Sequence, residues 1–228
     1  VSTVTNPVPY LPWLVSRASG IVALGLVTLA VLLGLTMSAK LLRRPGLGRT
    51  LVRLHEHIAL VALGAIAVHG VSLLGDKWLH PGLSGLTVPF AMSYRPLFTG
   101  LGIIGGYLAA LLGLSFYARR RIGVRLWRRL HRATVLVWAL GVVHTLGAGT
   151  DAVTVWLRAF VLAPAVPITY LLVRRTLLQP RGRRAGTPAP ARPRRMGDAR
   201  RATSSHAAAA TSGPPALGSR SLAGEQGA

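Results

Sequence analysis

The stretch "RLHEHIALVALGAIAVHG", Arg53 to Gly70, decides how the chain is read. Its apolar run is long enough to cross a bilayer, yet it carries His55, Glu56, His57 and His69. Ionisable groups at membrane depth are costly and require something to pair or occupy them. Outward from this run the apolar pattern recurs. Of the 228 residues, 51% are hydrophobic, and the mean hydropathy is +0.47. The apolar residues come in blocks of roughly 20, the length of a membrane span, and not as the alternating faces of a soluble domain. Five spans are predicted, at about 11–37, 54–75, 97–118, 130–149 and 153–173. The first lacks a basic start and a clear small-residue cleavage site, so it is expected to be a retained helix and not a signal peptide. The expected fold is an all-α integral membrane protein, a polytopic bundle of about five transmembrane helices.

The net charge of +22 would point to nucleic acid in a soluble chain. Its placement points elsewhere. Lys40, Arg43, Arg44, Arg49 and Arg53 lie between the first two spans with no acid among them. Seven arginines from Arg119 to Arg132 lie between the third and fourth spans, again with no acid, and eleven more follow from Arg174 onward. This is the positive-inside pattern. It places the 38–54 and 118–132 loops and the C-terminal tail in the cytoplasm, with residues 1–10 outside, in a multi-pass protein of the cell membrane. The bilayer is the expected partner, and no nucleic acid is. The outer loop "GDKWLHPGLSGLTVPFAMSYRP" (Gly75 to Pro96) carries Trp78, Phe90 and Tyr94 among several prolines and is expected to fold back on the membrane interface. The short 149–153 connection carries Asp151. Residues 176–228, with "PRGRRAGTPAPARPRRMGDARR" from Pro180, cannot bury a core and are expected to form a disordered, basic, Pro/Arg/Ala-rich tail. Contact of that tail with anionic lipid headgroups is its functional alternative.

Cysteine is absent, which removes disulfides, thiolate metal sites and iron–sulfur clusters together. With only five acids, all scattered, histidine is the ligand type left for a transition metal. On an ideal helix, His55 and His69 fall within about 40° of one face and about 21 Å apart along the axis, while His57 lies about 120° from His69. The fourth span repeats the arrangement in "LHRATVLVWALGVVH", with His131 and His144 near its two ends. These two are about 140° apart on an ideal helix, so local over- or underwinding, near Gly141, is needed to bring both to one face. The topology sets His55 and His131 at the cytoplasmic side and His69 and His144 toward the outside. Two helices presenting His–His pairs at matching depths suit b-type haem, whose iron takes one axial ligand from each side. A single membrane histidine is more simply a polar contact between helices, and zinc or copper needs ligands clustered at one depth. Two pairs split across the membrane fit neither alternative. His80 in the outer loop and His206 in the tail are read as solvated, and His57 as a helix-contact residue.

The paired histidines resemble the ferric reductase-like transmembrane domain family. That family includes eukaryotic ferric reductases, NADPH oxidases and the haem-binding membrane subunit of the bacterial periplasmic methionine sulfoxide reductase. Its two-haem members carry histidines 14 apart on one helix and 13 apart on a later one, and His55/His69 and His131/His144 match both spacings. The likeness extends to "VPFAMSYRPL" (Val88 to Leu97), to "RRLHRATVLVWALGVVHTL" (Arg128 to Leu146) and to Gly149, Thr150 and Asp151, over about residues 12–175. These stretches are similar to actinobacterial ferric oxidoreductase domain proteins.

The resemblance implies that residues 11–175 form a haem-binding transmembrane domain with two stacked b haems. His55 and His131 are then the inner axial ligands, and His69 and His144 the outer ones. It implies a membrane b-type cytochrome that carries electrons across the bilayer, an oxidoreductase component with no catalytic side chain of its own. Trp138, seven residues after His131 and within about 20° of its face, is a candidate inter-haem contact or a packing aromatic. Arg53, Arg132 and Arg95, with Arg17 and Arg158, lie near the membrane boundaries and are candidate propionate contacts or snorkelling residues. Oxidases and eukaryotic reductases of the family continue into a flavin and nicotinamide domain where this chain has its tail, and six spans are common where five are clear here. Flavin or quinone is therefore expected only through a partner, a separate flavoprotein or quinol. Ferric iron or an extracytoplasmic redox protein is the expected acceptor. "GLGIIGG" (Gly100 to Gly106) lies inside a span with no preceding strand, so its glycines read as helix-packing positions and not as a nucleotide loop. Two other readings stay open: the membrane anchor of a two-component periplasmic reductase of the methionine sulfoxide type, and a haem-free structural or transport protein.

Overall fold

The computed structural model describes residues 10–39, 41 and 46–177. The expected outer segment up to residue 9, Lys40, Arg43, Arg44 and the basic tail from residue 178, His206 included, lie outside the described residues. The chain runs through α1 (Leu11–Ser38), α2 (Leu47–Ser72), a short α3 (Gly82–Thr87), α4 (Pro96–Ile122), α5 (Val124–Leu130), α6 (Thr134–Ala148), α7 (Val155–Leu162) and α8 (Ala165–Leu177). Among the described residues there is no strand. Five stretches are long and apolar enough to cross a membrane: Leu11–Ser38, Leu47–Gly75, Pro96–Ile122, Val124–Ala148 and Val155–Arg175. The expected all-α bundle of about five spans is the fold that forms.

α1 packs along α2, and α4 along α6. In both pairs the start of one helix meets the end of the other, since Ser16 touches His69 and Phe98 touches His144. α1 also contacts α6 and α8. Leu24, Val31 and Leu35 of α1 form a buried cluster with Trp138 of α6, Leu157 and Val161 of α7, and Ile168 and Leu171 of α8. A smaller cluster joins Ala109 and Leu112 of α4 to Val137 of α6. Large apolar side chains such as Val61, Leu111 and Leu136 stay exposed, the condition of helices whose outer surface is solvated by lipid tails. α2 buries only Ala62, because one of its faces looks outward and the other lines open space described below.

Two local features depart from the sequence reading. The arginine-rich 118–132 segment is helical and not a loop: α4 runs on to Ile122 and α5 covers Val124–Leu130. Arginine is a good helix former, and the break falls at Gly123, whose φ of +89° disfavours any residue with a Cβ. The winding change needed in the fourth span lies at His131–Ala133, a 3-10 turn, and not at Gly141. Three residues at about 120° each in place of 100° advance the chain by roughly 60° in the direction that reduces the His131–His144 mismatch. Gly141 instead packs on Leu24.

The outer connection folds over the end of the bundle. Asp76 accepts the backbone N–H groups of Trp78 (2.8 Å) and Leu79 (3.1 Å), which turns the chain at the end of α2. Trp78 then meets Tyr94 edge-on, with centroids 5.8 Å apart. Tyr107 of α4 donates to the Thr87 carbonyl at the end of α3, and Asp151 pairs with Arg17 of α1.

Candidate functional site

The four paired histidines come together two by two. The rings of His55 on α2 and His131 at the start of the α6 segment have centroids 6.0 Å apart and planes at 81°. His69 near the end of α2 and His144 on α6 have centroids 6.1 Å apart and planes at 77°. Along α2 the two levels are separated by about 21 Å. Each pair lines its own cavity, about 280 Å³ at His55 and His131 and about 880 Å³ at His69 and His144. Val27, Leu63, Ile66 and Val137 line both, so they form an apolar partition between the two levels.

Hydrogen bonds fix the rings of His69 and His144, the level termed outer after the expected orientation, with that of His55 and His131 termed inner. His69 Nδ1 lies 2.8 Å from the Ser16 carbonyl, and His144 Nδ1 lies 2.9 Å from the Phe98 carbonyl. A carbonyl only accepts, so Nδ1 carries the proton in both rings and Nε2 keeps a free lone pair. Ser16 adds a hydroxyl that donates to the His69 carbonyl at 3.0 Å. The inner rings are held differently. Nδ1 of His55 and of His131 are buried with no hydrogen-bond partner, although the carbonyls of Ala30 and Leu112 face them. Trp127 stacks on the His131 ring, with centroids 5.0 Å apart and planes at 26°.

The other candidates are distributed unevenly. His57 bonds to the Arg53 carbonyl of its own helix at 2.7 Å and stays exposed, and neither His57 nor Arg53 lines either of these two cavities. His80 sits in the outer connection with φ +39°. Arg132 lines the inner cavity together with Arg128 and Arg175. Arg95 turns away from the outer cavity, bonding to the Gly147 carbonyl and lying over the Tyr94 ring, while Arg17 lines that cavity. Trp138 lines neither cavity; it is buried among α1, α7 and α8, and its indole N–H donates to Thr28 Oγ1 at 3.1 Å. The glycines of "GLGIIGG" are packing positions: Gly100 lies against Phe90, Gly102 against His144, Gly105 against Leu140 and Gly106 against Ile66.

Comparison with known families decides the class. The family model for the ferric reductase like transmembrane component matches residues 19–142, just over half of the chain. The chain belongs to that family. Neither the curated proteins nor the solved structures give a match to it. As a ferric reductase-like protein it is a multi-pass membrane component of redox, electron-transfer chemistry, and transmembrane domains of this family generally bind haem. The matched segment of this ferric reductase-like chain contains His55, His69 and His131, and His144 stands two residues beyond its end.

The donor set can be tested against haem. Two in-line metal–imidazole bonds of about 2 Å, with half of each ring added, put the ring centroids roughly 6 Å apart. Both pairs have that spacing. At the outer level both Nε2 lone pairs are free, the protonation that axial ligation requires. Some contributors had no sequence signal: a backbone carbonyl such as that of Phe98 has no side-chain signature, and Arg175 is brought to the inner cavity only by the packing of α8. Trp127 was legible in principle, four residues and one helical turn before His131 in "WRRLH".

Proposed function

We propose that residues 11–175 form a haem-binding transmembrane domain and that the protein is a membrane b-type cytochrome carrying electrons across the bilayer through two bis-histidine haems. His55 and His131 hold the inner haem, and His69 and His144 the outer. The observation that carries this reading is the pair of 6.0 and 6.1 Å imidazole spacings at two depths of one bundle. Haem bound at each level supplies a one-electron redox couple. The chain's own residues do the rest. Ser16 and Phe98 carbonyls keep the outer imidazoles in the Nδ1–H tautomer and raise their basicity. Val27, Leu63, Ile66 and Val137 exclude water between the levels. Arg128, Arg132 and Arg175 supply positive charge at the inner cavity, suited to propionates, whereas Arg17 at the outer one is paired with Asp151.

The positive-inside pattern puts His55 and His131 on the cytoplasmic side in the cell membrane. Electrons then enter from a separate flavoprotein or quinol and leave near the outer loop, toward ferric iron or an extracytoplasmic redox protein. The test is histidine replacement with haem counted in each purified variant. His55→Ala or His131→Ala should cost the inner haem, and His69→Ala or His144→Ala the outer. His57→Ala and His80→Ala should keep both. Loss of haem from His57→Ala with retention in His55→Ala would redraw the inner pair.

A further inference from the structure

The helices that carry no ligand, α1 and the first half of α4, meet the histidines through a repeated backbone unit. Ser16 offers its carbonyl to His69 Nδ1, and Gly20, four residues on, lies under the same ring. A Cβ at Gly20 would stand 2.9 Å from Nδ1 and 3.1 Å from Cε1 of His69. Phe98 offers its carbonyl to His144 Nδ1, and a Cβ on Gly102, again four residues on, would collide with three atoms of that ring. The unit recurs deeper in α1. The Ala30 carbonyl faces His55, and a Cβ at Gly34 would stand 3.4 Å from His55 Cε1. Ser16/Gly20 and Ala30/Gly34 are thus 14 residues apart on α1, as His69 and His55 are on the antiparallel α2.

The spacing of four has a cause. A helical carbonyl at position i already accepts the N–H of residue i+4, and its second lone pair remains available to another donor. The approach to that lone pair passes over residue i+4, whose Cβ tilts back toward the N-terminus and so toward the carbonyl. Only glycine at i+4 leaves room for a flat ring to lie there. Neither inner ring makes such a bond: Nδ1 of His55, over Gly34, and Nδ1 of His131 both lack a hydrogen-bond partner. Four residues after Leu112, whose carbonyl faces His131, stands Phe116 and not glycine. The His131 ring is held by Trp127 instead.

We propose that Gly20 and Gly102 are positioning residues that admit the haem-ligating imidazoles of His69 and His144 to the backbone carbonyls four residues earlier, setting the tautomer and plane of each ring, while Gly34 gives the His55 ring its room. This rests on the reading of the histidine pairs as haem ligands. The crowding ranks the sites. Gly102 is the tightest, Gly20 next, and Gly34 makes ordinary van der Waals contact.

The test uses full-length protein purified with its haem. Gly102→Ala and Gly20→Ala should each weaken the outer haem by about 10–100-fold in affinity, the usual effect of losing a second-shell partner. The haem-to-protein ratio then falls from two toward one, while the inner haem keeps its spectrum and reduction potential. Gly34→Ala should retain both haems with a shifted potential and altered electron paramagnetic resonance signal of the inner one only. Gly48→Ala, near the start of α2, where a Cβ meets nothing within 4 Å and which lines neither cavity, should change neither haem. Alanine is the better helix former, so helix weakening does not explain a loss, and the retained inner haem is the folding control. If Gly102→Ala fails to assemble, Gly20→Ala carries the test. Outer haem lost in His69→Ala but kept unaltered in both glycine variants overturns this proposal alone. A wild-type protein without haem overturns the underlying reading and this proposal with it.

Discussion

Trp138→Phe separates a packing role from a role between the redox centres. The indole is 9% exposed, sits with Leu24, Val31, Leu157 and Ile168 and lines neither cavity. Phenylalanine keeps most of the ring's contacts and removes one interhelical hydrogen bond, Trp138 to Thr28. Such bonds contribute about 0.6 kcal/mol on average in membrane helices and up to about 1.7. Thr28 is not orphaned, because its hydroxyl donates to the Leu24 carbonyl at 2.7 Å. With a small void left by the lost ring, the expected destabilisation is about 1–2 kcal/mol. For a chain of this length that corresponds to a fall in Tm of roughly 2–8 °C, measured by circular dichroism in detergent. Haem content, absorption bands and both reduction potentials should stay as in wild type. Val137→Ala is the comparator: one residue earlier, it lines both cavities and should perturb both haems. Shifted potentials in Trp138→Phe with unchanged Tm would refute the placement of this side chain in the packing core.

Three further outcomes follow from the same geometry. Arg175→Gln removes one of the three guanidinium groups lining the inner cavity, so the inner haem should become harder to reduce; at an effective dielectric near 20 the change is on the order of 1 kcal/mol, some tens of millivolts in a potentiometric titration, and an unchanged inner potential would remove Arg175 from that site. Reporter fusions within the 118–132 segment should register as cytoplasmic, and an external signal there would reverse the direction of electron flow. NADPH alone should leave the purified protein oxidised while dithionite reduces it, because "GLGIIGG" is the interior of α4 and no nucleotide loop; rapid reduction by NADPH without an added flavoprotein would contradict a separate donor.

The bundle was legible because lipid imposes a crude rule: spans of about 20 apolar residues between arginine clusters. The five expected spans and the five observed ones differ mainly at the ends beside the arginine clusters, where the second span begins at Leu47 and the fourth at Val124. Arginine-rich helix does not stop at the headgroups, and hydropathy cannot see that. His55 and His69 were legible as a face because 14 residues nearly close four turns. His131 and His144 were not, since a 3-10 turn over "HRA" has no distinctive composition. Which histidine faces which depended on α2 and the 124–148 helix running in the same direction, and not on spacing. The Ser16 and Phe98 carbonyls were invisible because every residue has one. Trp138 takes the packing role that was one of its two readings, while Val137, seven residues before His144 and within about 20° of its face, lines the cavities.

The most direct test of the account is the haem-to-protein ratio of the purified full-length protein, taken by pyridine haemochrome and joined to its low-temperature electron paramagnetic resonance spectrum. Two b haems per chain are expected, both low-spin. Because the imidazole planes stand at 81° and 77° in the two pairs, strongly anisotropic signals are expected and not the narrower ones of parallel rings. Absence of haem after expression with ample haem supply, or a high-spin signal from iron bound to a single histidine, would contradict it.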